Sequence, residues 1–321
     1  MQIYRDLTQF SPPPFAIVTS GTFDGVHVGH QKILRRVEEI RHQHGGESVV
    51  ITYWPHPRLV LGKEDTNLKL LNTLDEKAAL LEANGVNHLV ILSFTSDFSQ
   101  LSPEAFIQKI YIAGIGTKKL VIGYDHRFGK DRTGGLEYLN EHIHRYPFTV
   151  EEIPRQDIDD VGISSTKIRK ALSEGNLAIA HQYLGYFYSF QGQVVHGDQL
   201  GRTIDFPTAN LEIEEAYKLI PAEGIYAVRA LIKAQMYEGM LYIGQRPTLA
   251  KALAQRIELH VFNFSEDIYG EVVRVWLVGH IRGDKKFDSL ARMQQQLYED
   301  QSQALTILRN LPSSLPHFQS F

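Results

Sequence analysis

SGTFDGVHVGHQ occupies residues 20–31, directly after the apolar run FAIV and directly before ILRRVEEIR. A short hydrophobic strand therefore runs through a glycine-bearing turn into a helix. Structure alone asks only for a turn at that place. This turn also carries Gly21, Thr22, Phe23, Asp24, His27, Gly29 and His30, a surplus of groups able to hold a ligand. Unpaired backbone N–H groups at a helix start favour anions, and Gly29 permits close approach. His27 and His30 are three apart, so they can face the same side of the first turn. Together they could stabilise charge developing on a phosphate during transfer. Two other readings fit these residues: a glycine-rich turn with two exposed histidines, or a metal pair that lacks a third ligand nearby in sequence. The strand-to-helix position favours phosphate.

Outward from this stretch, strand-like and helix-like segments alternate up to about residue 185. The strand candidates Phe15–Thr19, Ser48–Trp54, His88–Ser93, Lys119–Gly123 and Phe148–Ile153 are short and apolar, as strands covered on both faces should be. Thr73 and Glu76 have capping-box spacing before EKAALLEANG, and Gly85 stops that helix. Ser102, Pro103 and Glu104 supply a cap, a first-turn proline and a first-turn acid. Helices are also expected at SSTKIRKALSEG and NLAIAHQYLG. Repeated strand–helix–strand order implies a parallel sheet, which binds ligands at the carboxyl ends of its strands.

After Gly185 the texture changes. YSFQGQVVHG, GIYAVRALI, GMLYIG, IELHVFNF and GEVVRVWLVGHIRG read as strands of an antiparallel sheet or small barrel. One helix follows, with Leu290, Met293 and Leu297 expected on its packed face.

Composition narrows the function classes. With 43% hydrophobic and 22% charged residues, the 321-residue chain can build two cores. It has no cysteine, which excludes disulfides, thiolate metal sites and a thiol nucleophile, and suits a reducing cytoplasm. The start, MQIYRDLTQFSPPPF, lacks the basic and apolar regions of a secretory signal. No apolar run approaches the ~20 residues that cross a bilayer. A net charge of −4 with no basic block weighs against nucleic acid, so small substrates fit better. GYDHRFGK is followed by Asp131 and has the wrong spacing for a P-loop.

The second informative stretch is GDQLGRTIDFPTANL, residues 197–211. Thr208 and Asn210, two apart, project to the same side of an extended chain. Their hydroxyl and amide oxygens are hard donors suited to Mg²⁺ beside nucleotide phosphates. Pro207 argues against a central strand, and Pro-Thr-Ala-Asn alone reads as a turn. In IELHVFNF, Glu258 shares a face with His260 and Phe262. It is either a solvent-facing strand residue or a base held near a substrate hydroxyl.

With these residues set out, the chain resembles the bacterial bifunctional riboflavin kinase/FAD synthetases. GTFDGVHVGH is similar to the HxGH signature of nucleotidyltransferases, and YWPHPRLVL (53–61), GYDHRFG (123–129) and ISSTKIR (163–169) follow in the family's order. The later half resembles the flavokinase domain through PTAN, PAEGIYA (221–227), IGQRPT (243–248), IELHVF and IRGDKKFDSL (281–290). The resemblance implies a Rossmann-like nucleotidyltransferase domain over 1–185 and a small antiparallel barrel with a terminal helix over 186–321. It implies riboflavin, FMN and ATP as substrates, with Mg²⁺, and no nucleic-acid or membrane partner.

On that resemblance Gly21, Thr22, Phe23, Asp24, His27, Gly29, His30, Ser164, Ser165, Thr166 and Arg169 would hold ATP for adenylyl transfer. Gly201, Arg202, Thr208 and Asn210 would hold it for the kinase, with Glu258 as base. Trp54, Asp125 and Arg282 are candidate flavin contacts. The chain departs from the family's pattern at His126, usually phenylalanine, at Asp205, usually glycine, and at Tyr242, commonly asparagine. Two rival readings are a nucleotidyltransferase for another substrate and a flavin-binding sensor. The full motif set weighs against the first. The presence of every proposed catalytic group weighs against the second.

Overall fold

The apolar runs of the first half become strands whose ends agree with expectation to within two residues. A computed structural model describes residues 1–62, 68–154, 162–197, 205–247 and 253–311, which fall into two compact units, Met1–Ser164 and Ser165–Ser320. In the first unit β1 (Gln2–Tyr4), β2 (Ala16–Ser20), β3 (Glu47–Trp54), β4 (His88–Ser93), β5 (Thr117–Gly123) and β6 (Thr149–Ile153) form one parallel sheet in the order β1-β4-β3-β2-β5-β6. β1 is the unexpected strand: three partly exposed residues on the sheet edge give no periodic signal.

Both faces of the sheet are covered, as near-continuous apolar strands require. Ala16, Val18, Val49, Ile51, Leu120 and Ile122 pack on one side with Phe106, Ile110 and Tyr111. Ile17 and Val121 pack on the other with Val37 and Ile40 of α1 (Val28–His44). α2 (Pro57–Leu61) and α3 (Leu74–Ala83) follow β3. The capping box of α3 forms as read: Thr73 Oγ1 accepts from the Glu76 N–H at 3.2 Å and the Glu76 carboxylate accepts from the Thr73 N–H at 2.9 Å. α4 (Ser96–Ser99) and α5 (Pro103–Phe106) come next, the latter running into a wide π-type turn over Ile107–Gly114; α6 (Leu136–His142) precedes β6.

In the second unit α7 (Ser165–Ser173) and α8 (Leu177–Leu184) precede the strands, and the Ala222 N–H donates to the Leu172 carbonyl at 3.0 Å. The β texture begins after Gly185, while backbone contacts group these two helices with it. β7 (Ser189–Val195), β8 (Ala209–Glu212), β9 (Gly224–Ile232), β10 (Gln235–Pro247), β11 (Leu253–Val261) and β12 (Val272–Arg282) close into an antiparallel barrel, β10-β11-β8-β7-β12-β9. Pro207 falls outside β8, which starts two residues later and pairs on both sides. The barrel has no edge there, and the proline costs the ladder no donor.

α9 (Leu290–Arg309) lies on the outer face of the barrel, where Ile225, Ala227, Met240, Trp276 and Val278 meet Ala304 and Leu308. The expected stripe needs one correction. Met293 and Leu297 pack there, but Leu290, at the helix start, is 66% exposed. An acid takes a place on the buried face instead: Asp300 is fully buried and receives Arg282 of β12, Nε to Oδ1 at 3.0 Å and Nη2 to Oδ2 at 2.7 Å. Arg282→Ala would leave that buried carboxylate without its cation, with only Gln296 Nε2 donating to Oδ1 at 3.2 Å. It is expected to cost ~3–5 kcal/mol in urea unfolding of the full chain, and Arg282→Met with Asp300→Leu should recover most of it.

Candidate functional site

Chain order runs outward from β2 in both directions, to β3 and β4 on one side and to β5 and β6 on the other. The crevice outside the carboxyl ends of β2 and β5 is therefore the switch point where such sheets bind ligands. SGTFDGVHVGHQ leaves β2 at that crevice, and GYDHRFG leaves β5 there.

The loop after β2 is held in an unusual backbone shape. Phe23, Gly25 and Val26 have φ of +47°, +88° and +35°. A β-branched valine at positive φ is an outlier, and such strain persists where surroundings over-determine it, commonly at functional sites. Those surroundings are visible. The Gly21 N–H donates to the Ile51 carbonyl at 3.0 Å, Gln31 Nε2 to the Val26 carbonyl at 2.9 Å, and the Leu71 N–H to Asp24 Oδ1 at 2.9 Å. Asp24 and Phe23 are buried. The loop is thus tied to β3, to α1 and to the segment entering α3.

His27 precedes α1 without a side-chain cap, and no acid stands in the first turn. A helix start of this kind favours negative charge. The His27 and His30 rings stack with centroids 3.7 Å apart and planes 16° from parallel, so the two residues do face one side. His30 Nδ1 is enclosed with no hydrogen-bond partner. Burial, then the charges of His27 and Lys77, hold the His30 imidazole well below its usual range. The ring is neutral at pH 7 and acts as a hydrogen-bonding group. Gly29 is buried in the same turn.

His126 has a definite seat. Its Nε2 lies 3.3 Å from Ser20 Oγ and 3.4 Å from Tyr111 Oη, and those two hydroxyls are 2.7 Å apart. Burial first, then Arg127 and Arg132, pull it down to about 4. A neutral ring therefore joins a hydroxyl pair at the end of β2, which physically accommodates the departure. Asp125 is exposed in the turn after β5, and Trp54 ends β3 half-buried, its carbonyl accepting from the Phe94 N–H at 2.9 Å. ISSTKIR straddles the two units. Ser164 closes the first, while Ser165, Thr166 and Arg169 belong to the first two turns of α7 in the second.

In the barrel, register puts Asn210 of β8 directly opposite Glu258 of β11, and Glu258 opposite Tyr242 of β10. Opposed residues in an antiparallel ladder share a face, so these three form a row on the outside of the barrel. Glu258 Oε1 accepts from Arg256 Nη2 at 2.5 Å. The Tyr242 hydroxyl lies over Gly244 and the Asn210 amide over Gly197, where any side chain would collide with them. Burial chiefly, with Asp284 next, raises the Tyr242 phenol. Thr208 is half-buried at the entry to β8, beside Pro207, whose carbonyl accepts from His260 Nδ1 at 2.8 Å.

Asp205 has φ of +61°, which accounts for a glycine being usual there; aspartate is one of the few other residues that tolerates this conformation. Arg282 has its guanidinium on Asp300 and on the Gly283 carbonyl. Gly201 and Arg202 lie outside the described residues. Sequence reading missed Arg256, Ser20 and Tyr111. Only the first left a signal, its two-residue spacing from Glu258 on a strand.

A family profile described as FAD synthetase matches residues 11–167, and one described as riboflavin kinase matches 184–308. Bifunctional riboflavin kinase/FMN adenylyltransferase of Listeria monocytogenes is 36% identical over 89% of this chain and 90% of its own. The Escherichia coli protein of that name is 34% identical over 94% and 96%. The chain belongs to the bifunctional riboflavin kinase/FMN adenylyltransferase family. The N-terminal family match covers the loop, the stacked histidines and the start of ISSTKIR; the kinase match covers the Tyr242–Glu258–Asn210 row. A crystal structure of a Streptococcus pneumoniae protein described as a macrolide-efflux protein has TM-score 0.86 and 32% identity, over 97% of this chain and 99% of that one. Among the described residues no helix here is long and apolar enough to cross a membrane.

Proposed function

We infer that this chain makes both flavin cofactors, phosphorylating riboflavin to FMN and adenylylating FMN to FAD with release of pyrophosphate, each step consuming ATP. The observation that carries the reading is the presence in one chain of two separate constellations: a strained phosphate loop at a sheet switch point, and a carboxylate–amide–phenol row on a barrel.

In the adenylyl step the FMN phosphate attacks the α-phosphorus of ATP and pyrophosphate leaves, with no covalent enzyme intermediate. The α1 start, Gly29, His27 and His30 stabilise the charge gathering on the phosphates. Gly21, Thr22, Phe23 and Asp24 shape the loop around the nucleotide, and Ser164, Ser165, Thr166 and Arg169 hold the departing pyrophosphate. Trp54 and Asp125 contact the flavin. Adenylyl transfer belongs to the chain up to about residue 185 and the kinase to the remainder.

In the kinase step Glu258 takes the proton of the riboflavin 5′-hydroxyl as that oxygen attacks the γ-phosphorus, the bond to the β,γ-bridging oxygen breaks and ADP leaves. Arg256 holds one carboxylate oxygen, leaving the other for the substrate. The groups around Glu258 suit Mg²⁺. Thr208 and Asn210 offer hard hydroxyl and amide oxygens. Bound there, the ion would neutralise phosphate charge, while the protein's part is positioning.

A chromatographic time course with riboflavin, ATP and Mg²⁺ tests this directly. FMN is expected first and FAD after it. FMN alone would leave a kinase with an idle N-terminal unit, and flavin binding without product would point to a sensor.

A further inference from the structure

One cation near the phosphate loop has no role in the steps above. Lys77, on α3, is 2% exposed. Among the described residues no side-chain hydrogen bond or ion pair involves Lys77, and its amine is not one of the fully enclosed polar atoms that lack a partner. A lysine whose stem is buried and whose charge has no ion pair gains no stability over an apolar residue of its length. Its surroundings are those of the loop: its charge is felt by His30 on one side, and it feels that of Asp24 on the other. The Leu71 N–H to Asp24 bond, together with the capping box at Thr73, fixes the start of α3 against the loop.

We propose that Lys77 is a phosphate-binding residue of the adenylyl-transfer site, an ammonium held without an ion pair until nucleotide oxyanions arrive beside His30. The proposal rests on the adenylyltransferase reading of this site. It answers a problem that the histidines leave open. His30 is neutral at pH 7, so the stacked ring contributes a hydrogen bond and no charge, while a triphosphate brings several negative charges. Burial pulls the Lys77 amine down to about 8, with Asp24 acting in the opposite sense, so at neutral pH it remains mostly protonated. In a site shielded from water one such charge is worth far more than at the surface.

The test compares the full chain with Lys77→Met, which keeps length and apolar stem, and with Lys77→Arg, which keeps charge. Lys77→Met is expected to lower kcat/KM for FMN-to-FAD conversion by about 100-fold. FMN formation from riboflavin in the same sample should be unchanged, and the melting temperature should be no lower than in the wild type, since no ion pair or hydrogen bond of the lysine is lost. Lys77→Arg should recover part of the loss. Calorimetric titration with ATP should show two binding events in the wild type and one in Lys77→Met.

FAD formation by Lys77→Met at the wild-type rate, or two undiminished ATP binding events, would overturn the proposal. So would a lower melting temperature in both variants with activity lost in step, because that marks a structural lysine. A wild-type chain that made no FAD would instead bring down the adenylyltransferase reading, and the ATP titration would still decide whether Lys77 binds phosphate.

Discussion

Glu258→Gln is expected to lower FMN formation from riboflavin by about 10²–10⁴-fold, the usual span for removing a general base. FMN-to-FAD conversion in the same preparation should be unaffected. The substitution keeps the shape of the side chain and its place in the row with Asn210 and Tyr242, which backbone register sets. It removes the charge that Arg256 meets at 2.5 Å and the lone pair that would receive the hydroxyl proton. The barrel should stay folded, because its core is built from the opposite faces of the same strands, with Ile257 and Leu259 buried on β11. Chromatography of both reactions on one sample makes each activity the folding control for the other. Loss of both in a folded protein would refute the two-site division.

The reciprocal substitution, His27→Ala with His30→Ala, should abolish FAD formation to the limit of detection, a loss of about 10³-fold or more, while sparing FMN formation. The stacked rings stand at the uncapped start of α1, so truncating both removes two side-chain contacts and leaves the helix N–H groups alone to hold the phosphates. The strained backbone at Phe23 and Val26 should survive, since Ile51, Gln31 and Leu71 hold it through bonds that do not involve the histidine side chains. A single-turnover measurement with saturating ATP separates the two contributions. A rate that stays low at saturation places the histidines on the transition state, and a rate that recovers places them on ground-state binding.

Much of this was open to a reader of the sequence because the signals are local. A strand covered on both faces is a run of apolar residues, and a capping box is two residues three apart, so β2 to β6 and α3 could be read directly. HVGH at a strand-to-helix turn carries its own geometry, which is why it could be anticipated that His27 and His30 face one side; that their rings stack could not. β1 could not be read, because three edge residues carry no period. The barrel strands were legible, yet Pro207 concealed β8, whose four residues are stabilised by neighbours on both sides.

The amino-acid sequence by itself determined the two-part architecture, the loop that joins β2 to α1 and the groups proposed for catalysis, since each depends on residues within about one turn or one strand of each other. Tertiary structure alone decided that Asn210 stands opposite Glu258 and that Arg256 holds its carboxylate. It also decided that His126 joins Ser20 and Tyr111, that Leu290 is exposed while Asp300 is buried, and that Lys77 is buried. Register and burial sum contributions from segments distant in the chain. A lysine or an aspartate looks the same in sequence whether water or a hydrophobic core surrounds it.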